Sequence, residues 1–68
     1  MGMVIIVVEP RDEAQVLISI RILCRVGIKA ERAKRPFANG WLYVEPEVTK
    51  EAATLLVASG ISANVRPD

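Results

Sequence analysis

The side chains that could do chemistry in this chain are one cysteine, three serines and several carboxylates. The sequence has no histidine, so the commonest general base and metal ligand is missing. Ser19, Ser59 and Ser62 have no recognisable base beside them, and no P-loop or nucleophile-elbow glycine pattern occurs. These observations predict a protein that is not an enzyme and that holds neither a metal nor a cofactor.

The carboxylates and the cysteine have structural explanations. Asp12 with Glu13, and Glu45 with Glu47, lie near predicted helix starts, where the helix dipole favours negative charge. Cys24 falls in a helical apolar pattern, which predicts a reduced thiol in a protein core. Because the chain has only one Cys, it cannot close an internal disulfide.

Basic and aromatic residues form a second group. The net charge of +1 hides a segregation, because residues 21–35 carry six basic side chains against Glu31 alone. Basic side chains attract phosphates, and exposed aromatic rings stack on bases. The candidates for contact with single-stranded nucleic acid are Lys29, Arg32, Lys34, Arg35, Trp41 and Tyr43.

An internal repeat indicates the elements that position these residues. The tripeptide V-E-P at 8–10 recurs at 44–46, and G-I-K-A at 27–30 is echoed by G-I-S-A at 60–63. In each copy a strand-like run comes before V-E-P, a helical pattern follows it, and a second strand-like run begins at Gly-Ile. The repeat predicts one domain over 1–68, made of two β-α-β units over about 3–33 and 40–66.

The helix boundaries follow from local chemistry. Pro10 and Pro46 are predicted at the first helical positions, where a missing N–H costs nothing. Gly27 and Gly60 are predicted as the left-handed residues that end the helices. The second helix is expected to be three residues shorter than the first, which is close to one turn.

The order strand, helix, strand, strand, helix, strand is typical of the ferredoxin-like α+β fold. The strands are predicted at about 3–8, 28–33, 40–45 and 61–66. Right-handed crossovers place the first and third strands in the middle of a four-stranded antiparallel sheet, with both helices on one face. The other face of the sheet is then open.

Alternation assigns side chains to the two faces. Leu42 and Val44 are predicted beneath the helices, which puts Trp41 and Tyr43 on the open face. Apolar residues occupy every position of the first strand, so one set also faces outward. The inward-facing residues are predicted to be Val16, Leu17, Ile20, Leu23 and Cys24 in the first helix, Val48, Ala52, Leu55 and Leu56 in the second, and Ile61, Ala63 and Val65 in the last strand.

The first helix carries a second apolar stripe, formed by Ile18, Ile22 and Val26, on its opposite side. Apolar residues make up 51% of the chain, more than a small domain can cover, so part of that surface is expected to meet a protein. The sequence therefore favours a binding module that forms a dimer, or that docks on or inhibits a larger protein. The interface candidates are Ile5, Val7, Ile18, Ile22, Trp41 and Tyr43.

Residues 39–46, Asn-Gly-Trp-Leu-Tyr-Val-Glu-Pro, together with the following Glu51-Ala52-Ala53 helix, resemble the third strand and second helix of the RNA-recognition motif. In that family the aromatic residues at the third and fifth positions of the octapeptide stack on RNA bases. The matching positions here are Trp41 and Tyr43, while Asn39, Leu42 and Pro46 depart from the family pattern. The resemblance implies an RNA-binding alternative to protein association.

The longest apolar run, residues 3–8, is far too short to span a bilayer. It also lacks the basic flank and the cleavage site of a signal peptide. The sequence therefore predicts a cytoplasmic protein with no membrane partner.

Overall fold

A computed structural model of the chain describes residues 4–34 and 38–66. Its strands are β1 (Val4–Glu9), β2 (Ala30–Arg32), β3 (Trp41–Val44) and β4 (Ser62–Arg66), and its α-helices are α1 (Glu13–Arg25) and α2 (Thr49–Ala58). A short 3-10 helix, Pro46–Val48, leads into α2. The α+β class is confirmed, and α2 is three residues shorter than α1, with 10 residues against 13.

The four strands form one sheet in the order β2-β3-β1-β4, with every neighbouring pair antiparallel. The first and third strands lie in the middle, as predicted. In the central pair, Ile5 is opposite Tyr43 and Val7 is opposite Trp41. Residues directly opposite each other point to the same face of a sheet, so these four side chains share one face.

The core lies between the other face of the sheet and the two helices. Ile6, Val8, Leu42 and Val44 project from the sheet into this core. The helices contribute Val16 and Leu23 from α1 and Ala52 and Leu56 from α2, all of them no more than 1% exposed. Both helices therefore cover the same face of the sheet, and the prediction for Leu42 and Val44 is confirmed.

Helix α1 is rotated relative to its predicted orientation. Val16 and Leu23 are buried as predicted, but Leu17 is 53% exposed and Cys24 is also exposed. Ser19 takes the core position instead at 0% exposure, because its hydroxyl donates a hydrogen bond of 2.8 Å to the Gln15 carbonyl oxygen. The predictions that Leu17 and Cys24 face the core were therefore wrong.

For the last strand the prediction holds for Ile61, which is buried just before β4, and for Ala63 of β4, which packs against the core. It fails for Val65, which is 48% exposed. Val65 pairs with Ile6 and so lies on the helix-facing side, but β4 is an edge strand. An edge strand has a neighbour on one side only, so the residue keeps half of its surface.

The helix ends follow the predicted chemistry with one exception. Asp12 caps α1 by accepting a hydrogen bond of 2.8 Å from the Gln15 N–H, so Pro10 lies outside the helix and its predicted place at the first helical position was wrong. Pro46 does begin the 3-10 helix that precedes α2. Gly27 and Gly60 have φ angles of 82° and 87°, which confirms them as left-handed helix ends.

The connection into β3 is held against the turn after β1. The Val8 N–H donates a hydrogen bond of 2.8 Å to the Gly40 carbonyl oxygen. Gly40 has a φ of 82°, and a methyl group on it would lie 2.8 Å from the Val8 carbonyl oxygen and 2.9 Å from the Arg11 Cα. Only glycine fits there without a shift of the backbone. This contact fixes the start of the strand that carries Trp41 and Tyr43.

Candidate interaction surfaces

Among the described residues, two serine hydroxyls form hydrogen bonds within the fold, and the cysteine thiol is exposed. Ser19 and Ser59 donate hydrogen bonds of 2.8 and 2.9 Å to the Gln15 and Leu55 carbonyl oxygens. Cys24 lies exposed on α1 as a free thiol. Within 4–34 and 38–66, no three His, Cys, Asp or Glu side chains come together in a group that could hold a metal ion.

The acidic side chains before and at the start of α1 have local partners. Asp12 caps the helix, and Glu13 Oε1 lies 3.0 Å from Arg32 Nη1. Glu9 Oε1 lies 2.7 Å from Arg11 Nε. These contacts agree with the structural explanation of Asp12 and Glu13, because each carboxylate supports a helix start or a neighbouring element.

The open sheet face is the face of β1 and β3 that carries Ile5, Val7, Trp41 and Tyr43. Trp41 and Tyr43 lie there half-buried, as alternation predicted. Ile5 and Val7 are only 3% and 2% exposed, although no helix covers this face in the described part of the chain. Tyr43 and Arg66 flank Ile5, and Trp41 and Asn64 flank Val7. The accessible part of the face therefore consists of the two half-buried aromatic rings and of the exposed Glu31, Asn64 and Arg66.

Arg66 completes this arrangement from the edge strand. It is paired with Ile5 across β1 and β4, and its guanidinium carbon lies 5.4 Å from the centre of the Trp41 ring. A guanidinium at this distance is attracted to the face of an indole ring. The contact between Trp41 and Arg66 therefore spans β1 and joins side chains of β3 and β4 on the open sheet face.

Among the basic candidates that the structure describes, Arg32 lies on the face of the sheet opposite to that of Trp41. Arg32 is opposite Leu42, on the helix-facing side of the sheet, and pairs there with Glu13. The residue opposite Tyr43 is the acidic Glu31. Lys29 is exposed on the approach to β2, and Arg35 lies outside the described residues.

A depression at the β2 edge nevertheless joins three of the nucleic-acid candidates. It is lined by Arg32 and Lys34 together with Tyr43, and also by Ile20, Ala30 and Glu31. Phosphate and ring contacts could thus come from one place, but the same depression contains a carboxylate. Trp41 lies away from it, beside Arg66.

The α1 outer surface is formed by exposed residues of α1 at helical spacing, namely Ala14, Leu17, Ile18, Arg21 and Arg25. Leu17 and Ile18, at its centre, are 53% and 48% exposed. Of the two predicted interface residues on this helix, Ile18 therefore lies on the surface, whereas Ile22 is half-buried and packs against the core. Because they are consecutive in the chain, the two aliphatic side chains lie about 100° apart around α1, on either side of the strip that carries Ala14 and Arg21.

Sequence reasoning missed Leu17 and Glu31 as parts of these surfaces, and it missed the contact of Arg66 with Trp41. Glu31 and Arg66 owe their places to strand register, which the sequence alone does not specify. A signal for Leu17 was available, because a serine can occupy a buried helical position when its hydroxyl bonds to the carbonyl four residues earlier. Placing Ser19 inward turns Leu17 outward.

No α-helix in the described ranges is long and apolar enough to cross a membrane. No family model matches the chain, and neither the curated proteins nor the solved structures contain a significant match to it.

Proposed function

We propose that this chain is a non-enzymatic binding module that associates with protein through the α1 outer surface. The observation that carries the proposal is the exposure of Leu17 and Ile18, which are 53% and 48% accessible at the middle of α1. Water is a poor environment for large aliphatic side chains, and exposed apolar surface on a small domain is a candidate protein contact.

A ferredoxin-like architecture is part of the proposal. The succession of elements and the β2-β3-β1-β4 order support it, since both agree with two β-α-β units whose first strands lie side by side. In this architecture the helices lie on one side of the sheet, so a helix offers its outer side to partners without disturbing the core.

The composition of the α1 outer surface favours a protein partner over a nucleic acid. Its largest apolar side chains are Leu17 and Ile18, and Arg21 and Arg25 are its only basic residues. Aliphatic side chains gain from burial against another apolar surface, whereas a phosphate backbone offers none. The arginines can lie along the rim and pair with carboxylates of the partner.

The test is the double substitution Leu17→Asp with Ile18→Asp, because it places two charges in the patch without touching the core. Sedimentation velocity of the purified chain would report self-association, and quantitative capture from extracts of the source cells would report other partners. We expect the variant to lose the association that the unmodified chain has. Val57→Asp is the matched control, because Val57 is a 57% exposed aliphatic residue on α2.

Circular dichroism of both variants would establish that each is folded. Association that survives the double substitution, or that is lost equally in Val57→Asp, would contradict the proposal. A chain that is monomeric and captures no protein in a manner dependent on Leu17 and Ile18 would also contradict it.

A second candidate function is the binding of single-stranded nucleic acid by a minimal domain similar to the RNA-recognition motif. It is favoured by the depression that Arg32, Lys34 and Tyr43 line together, and Trp41 would add a stacking surface. Against it, Glu31 is opposite Tyr43 and would repel a phosphate nearby.

This second function predicts that short oligonucleotides change the Trp41 fluorescence, with an affinity that falls as salt rises. Lys34→Ala should weaken binding, whereas Lys50→Ala, on α2, should not. The absence of any signal at low salt would rule it out.

A further inference from the structure

Asn39 lies exposed in a tight turn just before β3. The Trp41 N–H donates a hydrogen bond of 3.1 Å to the Ala38 carbonyl oxygen, so Asn39 and Gly40 are the two central residues of the turn. Gly40 has a φ of 82°, which is typical of the third residue of a type II turn. The turn therefore leaves Asn39 accessible to water and places a residue without a side chain directly after it.

An asparagine that precedes glycine can react with its own backbone. The attacking group is the backbone nitrogen of the glycine, and the target is the carboxamide carbon, Cγ, of the asparagine. Glycine hinders this attack least, because it has no Cβ. No described residue accepts a hydrogen bond from the Gly40 N–H, so no such bond holds the attacking nitrogen in place.

We propose that Asn39 is a site of spontaneous deamidation, through a succinimide ring that closes onto the Gly40 nitrogen. The Gly40 nitrogen forms a bond to Asn39 Cγ and gives up its proton, and the carboxamide nitrogen leaves as ammonia. One water molecule then opens the ring at either of its two carbonyl carbons. Cleavage between Cγ and the nitrogen gives aspartate in a normal backbone, and cleavage at the other carbonyl carbon gives isoaspartate, in which the chain runs through Cγ.

The turn can reach the geometry of ring closure while the sheet stays paired. Ring closure requires a rotation of the peptide between Asn39 and Gly40. This central peptide has opposite orientations in type I and type II turns, whose outer residues are held by the same hydrogen bond. Glycine at the third position accepts both signs of φ. The rotation therefore does not require the loss of the bond between Trp41 and Ala38.

Asn64, the only other asparagine of the chain, is a built-in comparison. It is exposed as well, but it lies within β4, opposite Val7. The residue after it is Val65, whose branched side chain crowds the backbone nitrogen that would have to attack. Because a tenfold change in rate needs only a small difference in barrier, we expect Asn39 to react at least about tenfold faster than Asn64.

The two products have different consequences for the fold. Isoaspartate adds one carbon to the backbone immediately before Gly40. Gly40 is held at the β1 turn, where its carbonyl oxygen accepts a hydrogen bond of 2.8 Å from the Val8 N–H and where a methyl group would collide with Val8 and Arg11. An extra backbone carbon displaces Gly40 from this contact. The isoaspartyl chain should therefore be less stable, whereas aspartate leaves the backbone unchanged.

Both products also change the charge of a cleft. Asn39 lines this cleft together with the basic Arg32 and Lys34 and the acidic Asp12 and Glu13. Deamidation adds a third carboxylate to these four charged side chains. The formal net charge of the chain falls from +1 to 0 at pH 7, so modified and unmodified chains should separate on ion exchange.

The test is prolonged incubation of the folded full chain at mildly alkaline pH, followed by peptide mapping with mass spectrometry. The peptide that contains Asn39 should show the mass gain of an amide converted to an acid, and an isoaspartate-specific carboxyl methyltransferase should label it. Asn39→Gln is the matched control, because closure onto the Gly40 nitrogen would then need a six-membered ring. This variant should stay unmodified under the same conditions.

The isoaspartyl fraction can be isolated by chromatography and unfolded in urea. We expect its midpoint at a lower urea concentration than that of the unmodified chain. An Asn39 that stays intact, that reacts no faster than Asn64, or that reacts only after the chain is unfolded overturns the proposed site. An isoaspartyl chain with an unchanged midpoint overturns the displacement of Gly40.

Discussion

The open sheet face and the α1 outer surface have similar apolar sequences but different accessibility. On the open sheet face, Ile5 and Val7 are 3% and 2% exposed although no helix of the described residues covers them. On the α1 outer surface, Leu17 and Ile18 are about half exposed at 53% and 48%. Both regions were predicted to be apolar and outward-facing in part, yet only the second offers aliphatic side chains to a partner.

The difference follows from the number of lateral neighbours. A residue in a central strand has side chains close on both sides, from the two flanking strands, at about 5 Å. Tyr43 and Arg66 flank Ile5, and Trp41 and Asn64 flank Val7. A residue on the outside of a helix is flanked only by residues three and four positions away on the same helix. The outward aliphatic residues of β1 have such neighbours on both sides and are buried, whereas Leu17 and Ile18 lack them and are about half exposed.

The largest expected effect comes from a substitution that destabilises the whole fold, and with it both surfaces. Gly40→Ala should destabilise the fold by about 3 kcal/mol or more, because it combines a left-handed φ with collisions against Val8 and Arg11. Gly27→Ala is the control, since Gly27 has the same φ of 82° with no atom within 4 Å of a methyl group, and it should cost about 1 kcal/mol. Urea unfolding followed by Trp41 fluorescence measures both. Equal losses for the two variants would show that the contact of Gly40 with the β1 turn is unimportant.

The next effect separates the two regions. Ile5→Ala should lower the free energy of unfolding by about 2–4 kcal/mol, as for a core residue. Leu17→Ala, measured at a dilution at which the chain is monomeric, should change it by no more than about 0.5 kcal/mol. Similar losses in the free energy of unfolding at the two positions would contradict this, because they would mean that the two side chains do not differ in burial.

Trp41→Ala tests whether the open sheet face is sheltered by its own aromatic residues. We expect a loss of about 2 kcal/mol, less than for a fully buried tryptophan, together with faster hydrogen exchange in β1. Tyr43→Phe keeps the ring and should change the stability by less than about 0.5 kcal/mol. If Trp41→Ala were as mild as Tyr43→Phe, the shelter of Ile5 and Val7 would have another origin.

The smallest effect is expected at Arg66. Arg66→Ala should cost about 0.5–1 kcal/mol and shift the Trp41 emission, because it removes the cation beside the indole ring. Arg25→Ala, an equally charged change on the exposed part of α1, should leave the emission unchanged. A shift of the same size in both variants would point to a general charge effect instead of the contact with Trp41.

Much of the fold was predictable from local patterns. The V-E-P and Gly-Ile repeats marked the helices and strands, and the left-handed φ angles of Gly27 and Gly60 confirmed the helix ends. Alternation in β3 assigned Leu42 and Val44 to the core and Trp41 and Tyr43 to the other face. These predictions succeeded because a strand has only two faces and a period of two residues, so a few strongly apolar positions decide the orientation.

The orientation of α1 was not predictable in the same way. Apolar residues occur nearly all around this helix, at 16–18, 20, 22–24 and 26, so several rotations bury an apolar stripe. The exposed Leu17 and Cys24 and the buried Ser19 show which rotation packs best against β1 and α2. The surroundings of the basic candidates were equally unpredictable, because they depend on tertiary contacts. Arg32 pairs with Glu13, and strand register places the acidic Glu31 opposite Tyr43.

The sequence by itself determined the order of the elements, the C-terminal ends of the helices and the two sides of β3, because these depend on periodicity and on the backbone preferences of glycine. Only the tertiary structure decided which apolar residues remain accessible. Accessibility depends on neighbours that are distant in sequence, such as Tyr43 and Arg66 beside Ile5. The sheet supplies such neighbours on both sides of a central strand, and the outer side of α1 has none among the described residues, so Leu17 and Ile18 stay exposed.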